Sequence, residues 1–205
     1  MTDRDTGCPR PEDSAVAVIR AEHRALGSAM HTLQQVTQDV FVGRIEPDQA
    51  LIASLLYYIG IFPERCHHPK EDEFLFRLLR ERTSAADALL DELQAQHVRG
   101  AQMLTYLEQL YVHWIGGAPD GLRHFADAVE SYAIFLRDHM EKEENLVLPL
   151  AEKHLRGSDW REIDAAFRAN EDPLGGEDLQ QELRRLKQRI ANLLPRKLRP
   201  HGGHE

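Results

Sequence analysis

The chain has 205 residues, of which 29% are charged and 42% hydrophobic, and its formal net charge is −9 at pH 7. This acidic balance argues against nucleic acid as a partner, because binding to phosphates needs a concentrated basic face. The longest apolar run, residues 51–62, is shorter than the roughly 20 residues of a membrane-spanning helix. The N-terminus has no apolar signal segment and only two cysteines are present, which favours a cytoplasmic protein without disulfides or a membrane partner.

Helical periodicity of the apolar residues predicts an all-α protein with four long helices, A to D. Helix A is predicted over about residues 14–42, where Gly43 ends it. Helix B is predicted over residues 47–82, because it can begin at a proline, which is favoured in a first helical turn. Pro63 and Pro69 lie inside helix B and remove backbone donors, so kinks are expected there.

The second half of the chain repeats this helical pattern. Helix C is predicted over about residues 84–115 and helix D over about residues 120–155, with two shorter helices at 160–170 and 177–194. Short connections favour an antiparallel up-down-up-down four-helix bundle with the short helices packed across it. The expected organisation is a flexible N-terminus, a bundle domain, a C-terminal helical extension and a flexible tail, over residues 1–13, 14–156, 157–195 and 196–205.

Two histidine-carboxylate pairs repeat along the chain. His67-x-x-x-Glu71 and His139-x-x-x-Glu143 lie 72 residues apart, each within a predicted helix and each followed by further acidic and apolar residues. Side chains at i and i+4 lie one turn apart on the same helix face. One such pair could arise by chance, but a repeated pair of this kind predicts a shared site.

A single histidine precedes each pair on its own predicted helix. His23 lies 44 residues before His67, and His97 lies 42 residues before His139. Either residue alone would be an ordinary helix histidine. Together, six ligand-type residues in a duplicated order predict a pseudo-twofold site for two metal ions inside a bundle. Imidazole suits iron, zinc or copper, and one carboxylate from each half suits bridging two ions.

A second register on helix B stays open at this point. His68 and Asp72 have the same i, i+4 spacing and could replace the neighbouring pair. The alignment of the two halves favours the register of His67, because only that register pairs Lys70 with Lys142.

These motifs resemble the hemerythrin-like (HHE cation-binding) family, over about residues 14–155. The resemblance implies an antiparallel four-helix bundle with a non-haem di-iron centre that carries carboxylate bridges and an oxo or hydroxo bridge. The metal ligands that it implies are His23, His67, Glu71, His97, His139 and Glu143.

The chain departs from that family's oxygen carriers at two positions. They have a second histidine four residues after the one on helix C, where this chain has Ala101, and they have an aspartate where it offers Glu143. Four histidines, two bridging carboxylates and an oxo bridge would leave about two of twelve coordination positions open. An extra open position favours redox chemistry over reversible oxygen carriage.

A layer about two turns from the ligands has the composition of a small pocket. In an antiparallel bundle it would contain Met30, Gly60, Leu104 and Tyr132. An ordinary apolar core is the simpler interpretation. The alternative is a ligand pocket left open by Gly60, in which the phenol of Tyr132 donates a hydrogen bond or a proton.

The function expected from the resemblance is binding or sensing of a small ligand, namely dioxygen, nitric oxide or peroxide, by a monomer or homodimer. A di-iron oxidoreductase that consumes one of these ligands is the alternative, and an iron-handling protein is a second alternative. A structural zinc site is disfavoured, because one closed site needs only four ligands.

Overall fold

The computed structural model describes residues 14–168 and 176–193, and all regular secondary structure in these two stretches is helical. The all-α prediction is therefore confirmed. The termini predicted to be flexible, residues 1–13 and 196–205, lie outside the described residues. None of the helices in the described stretches combines the length and apolar character that crossing a bilayer requires.

Six helices follow one another in the described stretches. The four long ones correspond to helices A to D: α1 (Ala15–Phe41), α2 (residues 49–82), α3 (Asp87–Ile115), which follows a 3-10 turn (Ser84–Ala86), and α4 (residues 121–154). Two shorter helices come after them: α5 (Gly157–Arg168) and α6 (Gly176–Leu193). The predicted ends agree with these bounds within three residues.

Local side-chain caps begin the first two helices. The hydroxyl of Ser14 accepts a hydrogen bond from the Ala17 N–H at 3.3 Å, and the carboxylate of Asp48 accepts one from the Leu51 N–H at 3.0 Å. Each satisfies a donor that has no partner within the helix. Gly43 has φ +72°, a conformation that favours glycine, and the chain turns there after α1.

Helices α2 and α4 are composite. In α2, the α-helical segments Gln49–Phe62, His68–Lys70 and Arg77–Arg82 alternate with the π-helical segments Pro63–His67 and Glu71–Phe76. In α4, the π-helical segment Glu143–Val147 joins Gly121–Lys142 to Leu148–His154. Each histidine-carboxylate pair therefore lies at a junction between α and π geometry.

Prolines account for two of these π turns. A proline lacks the N–H that would bond to the carbonyl four residues back, and its ring crowds that carbonyl. The residue before Pro69, His68, instead donates its N–H to the Pro63 carbonyl five residues back. Leu148, which also precedes a proline, donates to the Glu143 carbonyl in the same way. The chain therefore widens into π turns near the prolines at which kinks are predicted.

The long helices neighbour one another in a closed ring: α1 contacts α2 and α4, and α3 contacts the same two helices. Their buried apolar residues form two clusters. The first contains Leu26, Ile59, Leu107 and Leu136, and the second contains Ile19, Leu75, Leu93 and Val147. Along each helix, the predicted ligand residues fall between these two clusters.

Helices α5 and α6 pack against the outside of this ring. Ile163 and Phe167 of α5 join the second cluster, and Asp164 accepts a hydrogen bond from the Ala15 N–H at 2.7 Å. On α6, Leu183 and Leu186 are buried against a group on α2 that consists of Tyr58, Phe62 and Cys66.

Candidate metal centre

A buried layer of ionisable side chains separates the two apolar clusters. The exposed fraction of each is 7% or less, and the six predicted ligands all belong to it: His23, His67, Glu71, His97, His139 and Glu143. Burying a carboxylate or an imidazolium is costly unless a charge of opposite sign compensates it. Burial of this layer therefore costs more free energy than burial of the apolar core, and the geometry of the layer should show which interactions offset that cost.

Glu143 lies between histidines from both halves of the repeat. Its Oε2 is 3.2 Å from the Nε2 of His23, and its Oε1 is 3.2 Å from the Nε2 of His139. One carboxylate thus reaches a histidine on α1 with one oxygen and a histidine on α4 with the other.

Glu71 has the equivalent arrangement. Its Oε1 is 3.2 Å from the Nε2 of His67, and its Oε2 is 3.7 Å from the Nε2 of His97. The two carboxylates therefore each span from one group of histidines to another, as a bridge between two cations requires.

Several inner atoms of the layer have no hydrogen-bond partner. They are the Nε2 atoms of His97 and His139 and the four carboxylate oxygens of Glu71 and Glu143, which lie close together but without suitable hydrogen-bond geometry. Buried polar atoms are rarely left without partners. These atoms converge on a common space, which is the arrangement that a metal ion between them would satisfy.

The inner nitrogens of His23 and His67 face each other at the centre. The Nε2 atoms of His23 and His67 are 2.9 Å apart, while their Nδ1 atoms lie 2.9 Å from Glu144 and 2.8 Å from Glu22. A carboxylate can only accept, so each neutral ring carries its proton on Nδ1. Between two neutral rings the Nε2 lone pairs would repel, and a proton shared between the two nitrogens or a cation bound beside them removes the repulsion.

The other two predicted histidines are held in the same way. The Nδ1 of His97 lies 3.2 Å from the carboxylate of Asp72, and the Nδ1 of His139 lies 3.1 Å from the amide oxygen of Gln96. Such outer hydrogen bonds fix the tautomer and orientation of metal-binding histidines. All four rings therefore present Nε2 to the inside.

His68 joins the layer as well, which the sequence interpretation did not foresee. Its ring stacks on that of His97 with centroids 3.9 Å apart and lies 5.6 Å from that of His139. The sequence offers His67 and His68 as alternatives, but the structure brings both inside. Asp72, the other half of the second register, lies outside the layer as the partner of His97.

The seven side chains form two groups that could each hold a cation. His23, His67, Glu71 and Glu143 bring one ligand atom each within 4.8 Å of one another, and so do His68, His97 and His139. Imidazole and carboxylate donors suit iron, zinc or copper.

Burial and neighbouring charges shift the pKa values of the layer in opposite directions. Burial opposes protonation of His97, but the hydrogen bond to Asp72 and the Glu143 carboxylate outweigh it and raise the pKa of His97 to about 9. Burial dominates at His139 and lowers its pKa to about 4. Burial also opposes ionisation of Glu143, yet the facing histidines, His139 foremost, hold its pKa well below the usual value. Metal binding must therefore release protons.

The four residues predicted to line a pocket lie in or next to the first apolar cluster. Met30, Leu104 and Tyr132 belong to the first apolar cluster. A Cβ atom on Gly60 would lie 2.7 Å from Leu104 Cδ2, so Leu104 fills the space that the glycine leaves. Burial, with a smaller effect of Glu64, raises the pKa of Tyr132, and its phenol keeps its proton at neutral pH.

Fold and site together define an all-helical protein with a buried cluster of histidines and carboxylates that could hold metal ions. A comparison with family models matches residues 14–151 to the hemerythrin HHE cation-binding domain. The chain therefore belongs to the hemerythrin HHE cation-binding family, as its repeated motifs predicted. A comparison with curated proteins finds no match.

Proposed function

We propose that the protein is an antiparallel four-helix bundle that holds two iron ions and binds a small ligand at them. His23 and His67 would bind one ion, and His97 and His139 the other. Glu71 and Glu143 would bridge them. The observation that carries this proposal is the set of inward nitrogens and carboxylate oxygens that have no hydrogen-bond partner.

His68 changes the number of open coordination positions. Two six-coordinate ions offer about twelve positions. Five histidines would take five, two bridging carboxylates four, and an oxo or hydroxo bridge two. About one position then stays open, rather than the two expected from Ala101. The centre would then lack the additional open position that Ala101 predicts, and one open position favours ligand binding over turnover.

The surroundings of the centre limit what can reach it. The ring of His67 has Phe62 stacked at 6.2 Å and the edge of Phe167 at 6.5 Å, and Phe76 stacks on His97 at 5.9 Å. With aromatic walls and almost no exposed surface, the site suits a small ligand such as dioxygen, nitric oxide or peroxide. The iron would supply the ligand-binding and redox chemistry, while the protein excludes water and orients the donors.

Tyr132 is proposed to donate a hydrogen bond towards the bound ligand. Its phenol is buried and protonated, and it is close enough to Glu64 for that carboxylate to affect it. Glu64 in turn lies 3.4 Å from the Nδ1 of His68. Replacing Tyr132 by phenylalanine should weaken ligand retention, whereas Tyr106→Phe, at an exposed position, should not. Equal ligand dissociation rates in the two variants would refute this role.

The test of the function is a visible spectrum of iron-loaded, reduced protein before, during and after exposure to dioxygen. A band that appears with the gas and disappears when it is removed is expected. A band that instead decays irreversibly would show that oxygen is consumed, and the oxidoreductase alternative would replace ligand binding. Nitric oxide and peroxide are then tested in the same way to rank the ligands.

A further inference from the structure

The outer partners of the inner histidines form a closed ring around the centre. Each long helix contributes the residue that holds a histidine of the next one: Glu22 of α1 holds His67 of α2, Asp72 of α2 holds His97 of α3, Gln96 of α3 holds His139 of α4, and Glu144 of α4 holds His23 of α1. The ring follows from sequence position, because every outer residue directly flanks an inner residue of its own helix.

The ring has the same twofold repeat as the inner site, with one exception. Asp72 follows Glu71 as Glu144 follows Glu143, and both are carboxylates. The residue before His23 is Glu22, but the residue before His97 is Gln96. Three inner histidines therefore donate to an anion, and His139 donates to a neutral amide.

The amide of Gln96 is fixed in its orientation by its surroundings. Its Nε2 donates to Glu92 Oε1 at 2.9 Å, and Lys142 Nζ donates to the same oxygen at 2.6 Å. Lys142 also pairs with Asp138 at 2.7 Å. Because Glu92 can only accept, the amide oxygen of Gln96 must face His139. The nearest carboxylate on this path, that of Glu92, is therefore separated from His139 by Gln96, whereas the other three histidines each contact a carboxylate directly. Lys142 lies beside Glu92.

The difference between an amide and a carboxylate matters to a metal ion. A carboxylate that accepts the Nδ1–H of a bound histidine raises the basicity of that ligand, and outer hydrogen bonds are one of the means by which a protein sets a reduction potential. A neutral amide makes a weaker hydrogen bond than a charged group. His139 is therefore the weakest of the four donors.

We propose that Gln96 is a positioning residue that keeps His139 a weak donor and so raises the reduction potential of the ion that His139 shares with His68 and His97. This inference rests on the proposed dinuclear centre. It adds to the difference between the two ions that His68 creates by belonging to only one donor group, although the repeat makes their inner carboxylates equivalent. The ion near His139 is then the first to be reduced.

The experiment exchanges the two side chains in the double variant Gln96→Glu with Glu92→Gln. The exchange preserves the net charge and can keep both hydrogen bonds, since the new amide at 92 can donate to the new carboxylate at 96. It moves one negative charge from the surface to His139. Lys142 keeps Asp138 as its partner. In the iron-loaded protein, a redox titration should give a lower first reduction potential than in the wild type.

Two single variants give the sign of the effect independently. Glu92→Gln alone removes a nearby negative charge and should shift the potential upward, opposite to the exchange. Asp72→Asn gives His97 a neutral partner, so it should also raise the potential, and a loss of metal affinity of about 10–100-fold is expected with it. Both residues are partly exposed, at 51% and 36%, and circular dichroism confirms that each variant is folded.

An exchange variant that binds two iron ions with an unchanged or higher first potential overturns the role of Gln96 and leaves the metal centre intact. A wild-type protein that binds no iron overturns the proposed function and the role of Gln96 together. The two failures are therefore distinguished by metal analysis of the wild type.

Discussion

Replacement of His68 by phenylalanine separates metal binding from packing. Phenylalanine keeps a ring to stack on His97, where the centroids are now 3.9 Å apart, but it has no nitrogen to offer a metal ion. Loss of an outer hydrogen bond costs about 10–100-fold in metal affinity. Loss of a direct donor should lower metal affinity by at least this factor, which corresponds to about 1.4–2.7 kcal/mol of binding free energy. The ion that His68 would share with His97 and His139 should be the one that weakens.

The matched variant is His68→Ala, which removes the stacking as well. An aromatic pair contributes about 0.5–1.5 kcal/mol beyond its buried area, and His68→Ala also loses the buried ring area that His68→Phe keeps. Metal-free His68→Ala should therefore unfold more easily than metal-free His68→Phe by more than that amount. Replacing the exposed His113, at 54%, controls for loss of any histidine. Iron affinity is measured by competition with a chelator under anaerobic conditions. If His68→Phe binds both ions as tightly as the wild type, His68 is not a ligand and the count of open positions is wrong.

Three further predictions concern stability. Phe167→Ala and Ile163→Ala each empty a fully buried position of α5 and should cost roughly 3–5 and roughly 2–5 kcal/mol of unfolding free energy, respectively. Only Phe167→Ala, which uncovers the ring of His67, should also speed iron release to a chelator, and equal release rates would contradict this. Asp159 accepts two hydrogen bonds from Arg82, at 2.6 and 2.7 Å, and these bonds hold its pKa well below the usual 3.8. A lowered folded pKa gives stability that is present above the unfolded pKa and lost below it, so the stability difference between wild type and Asp159→Asn should be constant near neutral pH and shrink as pH falls below about 4 in urea titrations; a difference independent of pH would refute the pairing. Finally, iron at about 100 times its dissociation constant should raise the unfolding free energy by about 2.7 kcal/mol per ion, and a chelator should reverse this in thermal scans.

Helical periodicity was sufficient to place the elements, because apolar residues of each long helix fall on the face that the clusters bury. The first turn of α3 differs from the prediction. The sequence pattern predicts that the helix begins at about residue 84, but residues 84–86 form a 3-10 turn before Asp87. A few residues at a helix end contribute too little periodic signal to distinguish these states.

The sequence repeat predicts that six side chains converge, but it does not predict that His68 joins them. The sequence offers His67 and His68 as alternatives, and in a regular α-helix adjacent residues do point about 100° apart. The structure places His67 at the end of a π-helical segment with φ −111° and ψ −71°, away from regular helical values. That local distortion depends on Pro63 and Pro69, and its effect on side-chain direction could not be computed from spacing.

The outer hydrogen bonds and the filled space at Gly60 depend on tertiary packing. Glu22 and Gln96 act on histidines of other helices, and no spacing along one helix predicts such contacts. Likewise Lys70 and Lys142 occupy matching positions in the repeat but differ in their contacts. Lys70 lies over the ring of Phe167 at 5.5 Å, while Lys142 pairs with acidic groups. A sequence repeat therefore predicts inner residues better than their surroundings.

The measurement that tests the central claim most directly is an anaerobic titration of metal-free protein with ferrous iron, followed by Mössbauer spectroscopy after oxidation. Two tightly bound ions per chain are expected, magnetically coupled through a bridge and with two distinguishable iron environments. One ion per chain, or two uncoupled ions, would contradict a bridged dinuclear centre at the layer formed by His23, His67, Glu71, His97, His139 and Glu143.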